Sequence, residues 1–173
     1  MRILKNIVIL FALVIYTSFG YSLNSLEGIK EEKLSKILFE EGYKMKSEDN
    51  EFGKMTIFDK RTQKYEQQIL INYDNGKPYQ ITIYSWHFHV EPNEKKMLRN
   101  LKETIQLLVE GTENKELIER LEKSKDKIEL KKDFEENYEN YDIKYYTRKG
   151  TLELQITGER TGGLADYVKS LKK

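Results

Sequence analysis

Cysteine is absent from this chain. Disulfides, thiolate nucleophiles and lipid attachment at a cysteine all go with it. Histidine is nearly absent, with only His87 and His89, so any imidazole chemistry must use one of that pair. Proline occurs twice and tryptophan once. No Asn-x-Ser/Thr acceptor is present, and no apolar run of membrane-spanning length follows residue 20. The chain has no Gly-x-Ser-x-Gly elbow, no His-Glu-x-x-His helix and no dinucleotide or phosphate-loop fingerprint. Enzymatic activity is therefore not expected.

What is present begins at the first residue. Met1 to Lys5 is a short basic start, Ile7 to Tyr16 is apolar, and Ser18 and Gly20 are small residues at the spacing a signal peptidase reads. That order of charge, apolar run and small residues predicts a secretory signal peptide over residues 1–20. The apolar run is short for a membrane anchor. The expectation is a bacterial protein, periplasmic or secreted, with residues 21–173 as a single exported domain.

Cleavage would change the sign of the charge. The whole chain carries 30 basic and 29 acidic residues. Removing Arg2 and Lys5 leaves 28 against 29, a net charge of −1. A near-neutral domain has no general attraction for nucleic acid or anionic lipid. Without disulfides it must hold together by its apolar core, for which Ile69, Ile81, Leu101 and Leu154 are candidates.

The apolar periodicity changes along the chain. Ile29 to Glu41 reads as a helix stopped by Gly42. Tyr43 to Met45 reads as a short strand and Ser47 to Gly53 as a polar turn. Met55 to Lys60, Tyr65 to Tyr73 and Lys77 to Val90 read as further strands. For the link through Asp74-Asn75-Gly76, a three-residue loop places Ile71 opposite Tyr79 and Ile69 opposite Ile81, gathering apolar residues on one face. Within the fourth strand Tyr79, Ile81 and Ile83 share one face and Trp86, Phe88 and Val90 the other. This predicts a bulge near Tyr84-Ser85 or cover on the far side.

Pro92 suits the first turn of a helix that runs to Gly111, and Thr112 is a candidate cap for a second. Ile128 and Leu130 read as a strand, and Asp133 to Asn140 as an acidic, tyrosine-bearing loop. A two-residue Lys149-Gly150 turn pairs Thr147 with Leu152, Tyr145 with Leu154 and Ile143 with Ile156. A final helix is expected over Leu164 to Leu171. The class is α+β: antiparallel meanders of about seven strands in two groups, packed against helices. A faint likeness between Met55–Ile71 and Ile143–Ile156 raises an internal α-β-β-β duplication.

Three constellations are candidates for function. His87, His89 and Glu91 alternate along one strand and so stand in a row, a donor set suited to a transition metal such as zinc. The plainer reading is a solvated face backed by Trp86, Phe88 and Val90 in the core. Thr161-Gly162-Gly163, with Arg160 beside it, precedes the last helix and offers backbone N–H groups to an anion. Tyr84, Trp86 and Tyr146 are candidate partner contacts, because Tyr and Trp are favoured at interfaces and stack on sugars. Tyr145 and Tyr146 face opposite ways, so one of them is expected outside the core. The expected function is a small exported, non-catalytic binding protein for a protein or glycan partner, without a cofactor, a nucleic-acid role or a stable anchor. The alternatives are a metal-binding protein using His87 and His89 and an envelope component without a discrete site.

Overall fold

A computed structural model describes residues 26–50, 53–74, 76–88, 92–138 and 141–158. The elements are α1 (Glu31–Glu40), β1 (Lys44–Asn50), β2 (Gly53–Arg61), β3 (Tyr65–Asp74), β4 (Lys77–His87), α2 (Glu94–Gly111), α3 (Lys115–Lys127), β5 (Phe134–Asn137), β6 (Tyr141–Arg148) and β7 (Thr151–Gly158). All seven strands join one antiparallel sheet in the order β1-β2-β3-β4-β7-β6-β5. The architecture is α+β, with the three helices packed against that sheet. The two expected groups of strands meet where β4 pairs with β7, setting Ile83 beside Leu154 and Ile81 beside Ile156.

Strand alternation decides what is buried. Phe58, Ile69, Ile71, Ile81, Ile83, Leu154, Ile156, Ile143 and Tyr145 turn to the helix face and are fully buried. The helices answer with Leu34 and Leu38 from α1, Leu101, Ile105 and Leu108 from α2, and Leu117 and Leu121 from α3. Each such side chain withdrawn from water contributes about 1.5–3 kcal/mol before ordering costs. No helix among the described residues is long and apolar enough to cross a membrane.

The C-terminal hairpin has the expected register: Thr147 with Leu152, Tyr145 with Leu154 and Ile143 with Ile156. Gly150 supports its tight turn at φ +76. The β3–β4 hairpin differs from expectation. Asp74 pairs with Lys77, leaving a two-residue link, and Ile71 lies opposite Ile81 rather than Tyr79. A two-residue link alone would have placed apolar residues on opposite faces. A register shift corrects this: Asn72 pairs with Gln80 and Tyr73 with Pro78, so Tyr79 is the extra residue in β4. Of the two outcomes expected near Tyr84-Ser85, a bulge or cover on the far side, the bulge is not found there: Tyr84 and Ser85 pair regularly with Gln68 and Gln67.

Other boundaries move for local reasons. Ser47 to Asn50 continues β1 instead of turning, because it pairs in register with Gly53 to Thr56. Pro92 precedes α2, and Asn93 is the cap, accepting from the Lys96 N–H at 3.0 Å. Thr112 closes α2, its hydroxyl donating to the Leu108 carbonyl at 2.7 Å, while Asn114 caps α3. Ile128 is buried outside any strand, and the expected acidic loop contains β5 at the sheet edge. The expected signal segment, Thr161-Gly162-Gly163 and the helix expected over Leu164 to Leu171 lie outside the described residues.

The duplicated pattern meets a geometric obstacle. The β2–β3 and β6–β7 hairpins approach β4 from opposite sides, with β3 and β7 pointing the same way. Both bury their apolar side chains on the helix face. They are therefore mirror-related in layout, and no rotation carries one onto the other with the same face buried.

Candidate functional site

β4 carries the candidate residues because it is the central strand and has different company on its two faces. Its helix-side residues Ile81, Ile83 and Ser85 are buried. On the other face, where none of the three helices lies, Tyr84 and Trp86 stand two residues apart. Their rings stack at 4.7 Å between centroids and 9° between planes. Neither is fully buried. Trp86 thus contradicts its assignment to the core, and the ring of Tyr84 supplies its cover.

Register places the remaining groups. Tyr84 lies between Gln68 of β3 and Glu153 of β7, and Glu153 lies beside Tyr146 of β6. Trp86 lies between Glu66 and Thr151, with Arg148 one strand further. Tyr84, Trp86 and Tyr146 therefore share one face, with Tyr146 two strand spacings, about 10 Å, from Tyr84. Burial pushes the Tyr84 hydroxyl above its ordinary pKa, helped by the charge of Glu153 and a hydrogen bond to it, with Arg148 opposing. The Tyr84 phenol is thereby held neutral, with its hydroxyl directed to Glu153.

A shallow hollow of about 360 Å³ adjoins this pair, lined by Glu66, Trp86, Phe88, Lys149 and Thr151, with His87 and Gly150 at its border. Phe88 is 48% exposed, and the Arg61 guanidinium lies 4.8 Å from its ring centre. The surface mixes flat apolar rings with both signs of charge. It offers stacking, cation–π contact and hydrogen bonds to a ligand.

The His87–His89–Glu91 set divides differently. His87 falls on the helix side, opposite Tyr65, with the rings edge-on at 4.7 Å. It therefore faces away from Trp86. His89 and Glu91 lie outside the described residues. Among the described residues no group of three or more His, Asp or Glu side chains is arranged to hold a metal ion.

Sequence reasoning missed Glu153, Arg148, Arg61 and Glu66 as companions of the aromatic pair. The hairpin register already placed Tyr146 against Glu153. What no local pattern supplied was the β4–β7 pairing that brings Glu153 beside Tyr84 and Tyr146 one strand beyond it. Neither a protein-family model, nor a curated protein, nor a solved structure matches this chain.

Proposed function

We propose that this protein is a small exported, non-catalytic binding protein whose open sheet face, through Tyr84, Trp86 and Tyr146, engages a protein or glycan partner. The observation that carries this reading is the stacked Tyr84–Trp86 pair on the face opposite the helices. Partial exposure of large rings in the middle of a sheet has a solvation cost, which a partner would remove. The surrounding Glu153, Arg148, Glu66 and Arg61 supply polar groups at the rim, as interfaces commonly do.

Trp86 is the single tryptophan of the chain, so its fluorescence reports on the site itself. The test titrates the full chain with soluble oligosaccharides and, separately, with protein fractions of envelope extracts, following Trp86 emission. A saturable change in emission is expected with one of the two. The Tyr84→Ala, Trp86→Ala double variant, captured on the same immobilised partner, is expected to bind about tenfold or more weakly. Its melting temperature should stay within a few degrees of the parent, since neither ring belongs to the helix-side core. Undiminished capture of the folded double variant would overturn the reading.

A further inference from the structure

The two edges of the sheet are built differently. β5, at one edge, spans only four residues, and its acids are already engaged, Glu135 by Lys144 and Glu136 by Lys127. Antiparallel self-pairing there would set Glu135 or Glu136 against its own copy. Like charges directly opposite are repulsive, a common way of blunting an edge.

β1, at the other edge, spans seven residues and, among the described residues, pairs with β2 on one side only. Its sequence Lys44-Met45-Lys46-Ser47-Glu48-Asp49 changes charge sign at Ser47. Neither Lys46 nor Glu48 has an ion-pair or hydrogen-bond partner among the described residues, and both are exposed. If two copies of this strand meet antiparallel about Ser47, Lys46 falls opposite the partner's Glu48 and Glu48 opposite the partner's Lys46. The edge is therefore self-complementary where β5 is self-repelling.

An apolar contribution lies beside it. Met45 turns to the helix side, opposite Phe58, yet is 42% exposed. The Ser35 hydroxyl of α1 approaches the Met45 sulfur at 3.7 Å. Phe39, one helical turn beyond Ser35 on the same face, is 50% exposed. Phe39 and Met45 are two of the three large apolar side chains that stand out as exposed among the described residues.

The geometry points to β1 as a homodimer interface, joining two copies of this chain edge to edge about Ser47 into one continuous antiparallel sheet. The two-fold axis runs perpendicular to the sheet, so both sets of helices fall on one side. Met45 then lies on that side of the seam, across from the partner's Asp49, with Phe39 of α1 on the same side. The two Tyr84–Trp86 faces point the same way on the opposite side. A partner presenting repeated epitopes would meet two sites at once, with the gain that linkage confers.

The absence of cysteine makes the test clean. In this register Ser47 faces the partner's Ser47 across the axis, at the Cα separation of about 4.5–5.5 Å that a disulfide accepts. A Ser47→Cys chain is expected to form a covalent dimer on mild oxidation at micromolar concentration. An Asn137→Cys chain on the β5 edge should remain monomeric under the same conditions. Adding Lys46→Glu to Ser47→Cys opposes like charges twice and should slow crosslinking about tenfold. Adding Glu48→Lys as well restores opposite charges and should restore the rate. The proposal is overturned if Ser47→Cys crosslinks no faster than Asn137→Cys. It is equally overturned if crosslinking ignores the charge reversal, or if the double reversal fails to restore it.

Discussion

At the scale of single residues, Glu31 joins a helix to two strands. It sits in the first turn of α1, where a carboxylate also suits the helix dipole. Both of its oxygens accept from the Lys54 ammonium, at 3.0 and 2.9 Å. The Tyr73 hydroxyl donates to it at 2.8 Å and the buried Thr56 hydroxyl approaches at 3.4 Å. One side chain thus ties α1 to β2 and β3. Burial works to raise its pKa, but the hydrogen bonds from Lys54 and Tyr73 and the Lys54 charge outweigh it and hold the carboxyl below the ordinary 4.5. A carboxylate depressed in the folded state stabilises above its unfolded pKa and loses that contribution as pH falls through the folded value. Urea unfolding at neutral pH and at about pH 3 should therefore show an acid-dependent loss. Glu31→Gln should cost about 1 kcal/mol at neutral pH, allowing for solvent screening, and should shrink the acid loss. An acid loss of unchanged size in that variant would remove Glu31 as its source.

At the scale of elements, the packing of α1 on α2 depends on an absent side chain. A Cβ on Gly111 would lie 2.6 Å from Leu34 Cδ1, 3.1 Å from its Cβ and 3.2 Å from its Cα. The Leu34 tip can rotate, but the two inner contacts require the helices to separate by a few tenths of an ångström. Gly111→Ala gains about 1 kcal/mol of helix propensity and loses about 1–3 kcal/mol to overpacking. A net destabilisation is expected, read as a lower melting temperature. Adding Leu34→Gly, which removes the Cβ at 3.1 Å as well as the tip, should reduce the penalty of Gly111→Ala, a coupling that a double-mutant cycle measures. Much of the element layout was legible from periodicity: α1, α2, β2, β3 and the β6–β7 hairpin. The misses came where two local signals competed. Ser47 to Asn50 has turn residues, yet ladder pairing with β2 draws it into β1. Thr112 has a capping side chain, yet Asn114 two residues later takes the role because Thr112 is occupied with Leu108.

At the scale of the whole molecule, the β4–β7 ladder makes one unit of two chain segments separated by two helices. α2 reinforces it, because Leu101, Ile105 and Leu108 share one core with Ile69 and Ile83 of the first segment and Leu154 of the second. A buried polar cluster adds to the tie. The Tyr43 hydroxyl meets the Thr104 hydroxyl at 2.9 Å, and the Gln67 amide donates to Thr104 and to the Asn100 carbonyl. Burial holds the Tyr43 hydroxyl up at about 12, so it remains neutral and paired. Such a shared core predicts cooperative unfolding. Trp86 fluorescence, reporting from β4, and far-UV circular dichroism should give coincident denaturant transitions. Separated midpoints would mean that the two halves of the sheet unfold independently.

Composition and periodicity by themselves determined the class of this protein: a cysteine-free α+β chain whose antiparallel strands bury one face against helices. They determined the parity of Tyr84, Trp86 and Tyr146 as well, because side chains alternate along any strand. Tertiary structure alone decided that these three share the face opposite the three helices, that His87 turns away from Trp86, and that a bulge at Tyr79 keeps Ile81 opposite Ile71. The physical reason is range. Alternation and capping are settled within a few neighbouring residues, whereas the pairing of β4 with β7 joins strands some seventy residues apart and is selected by burial of the whole core.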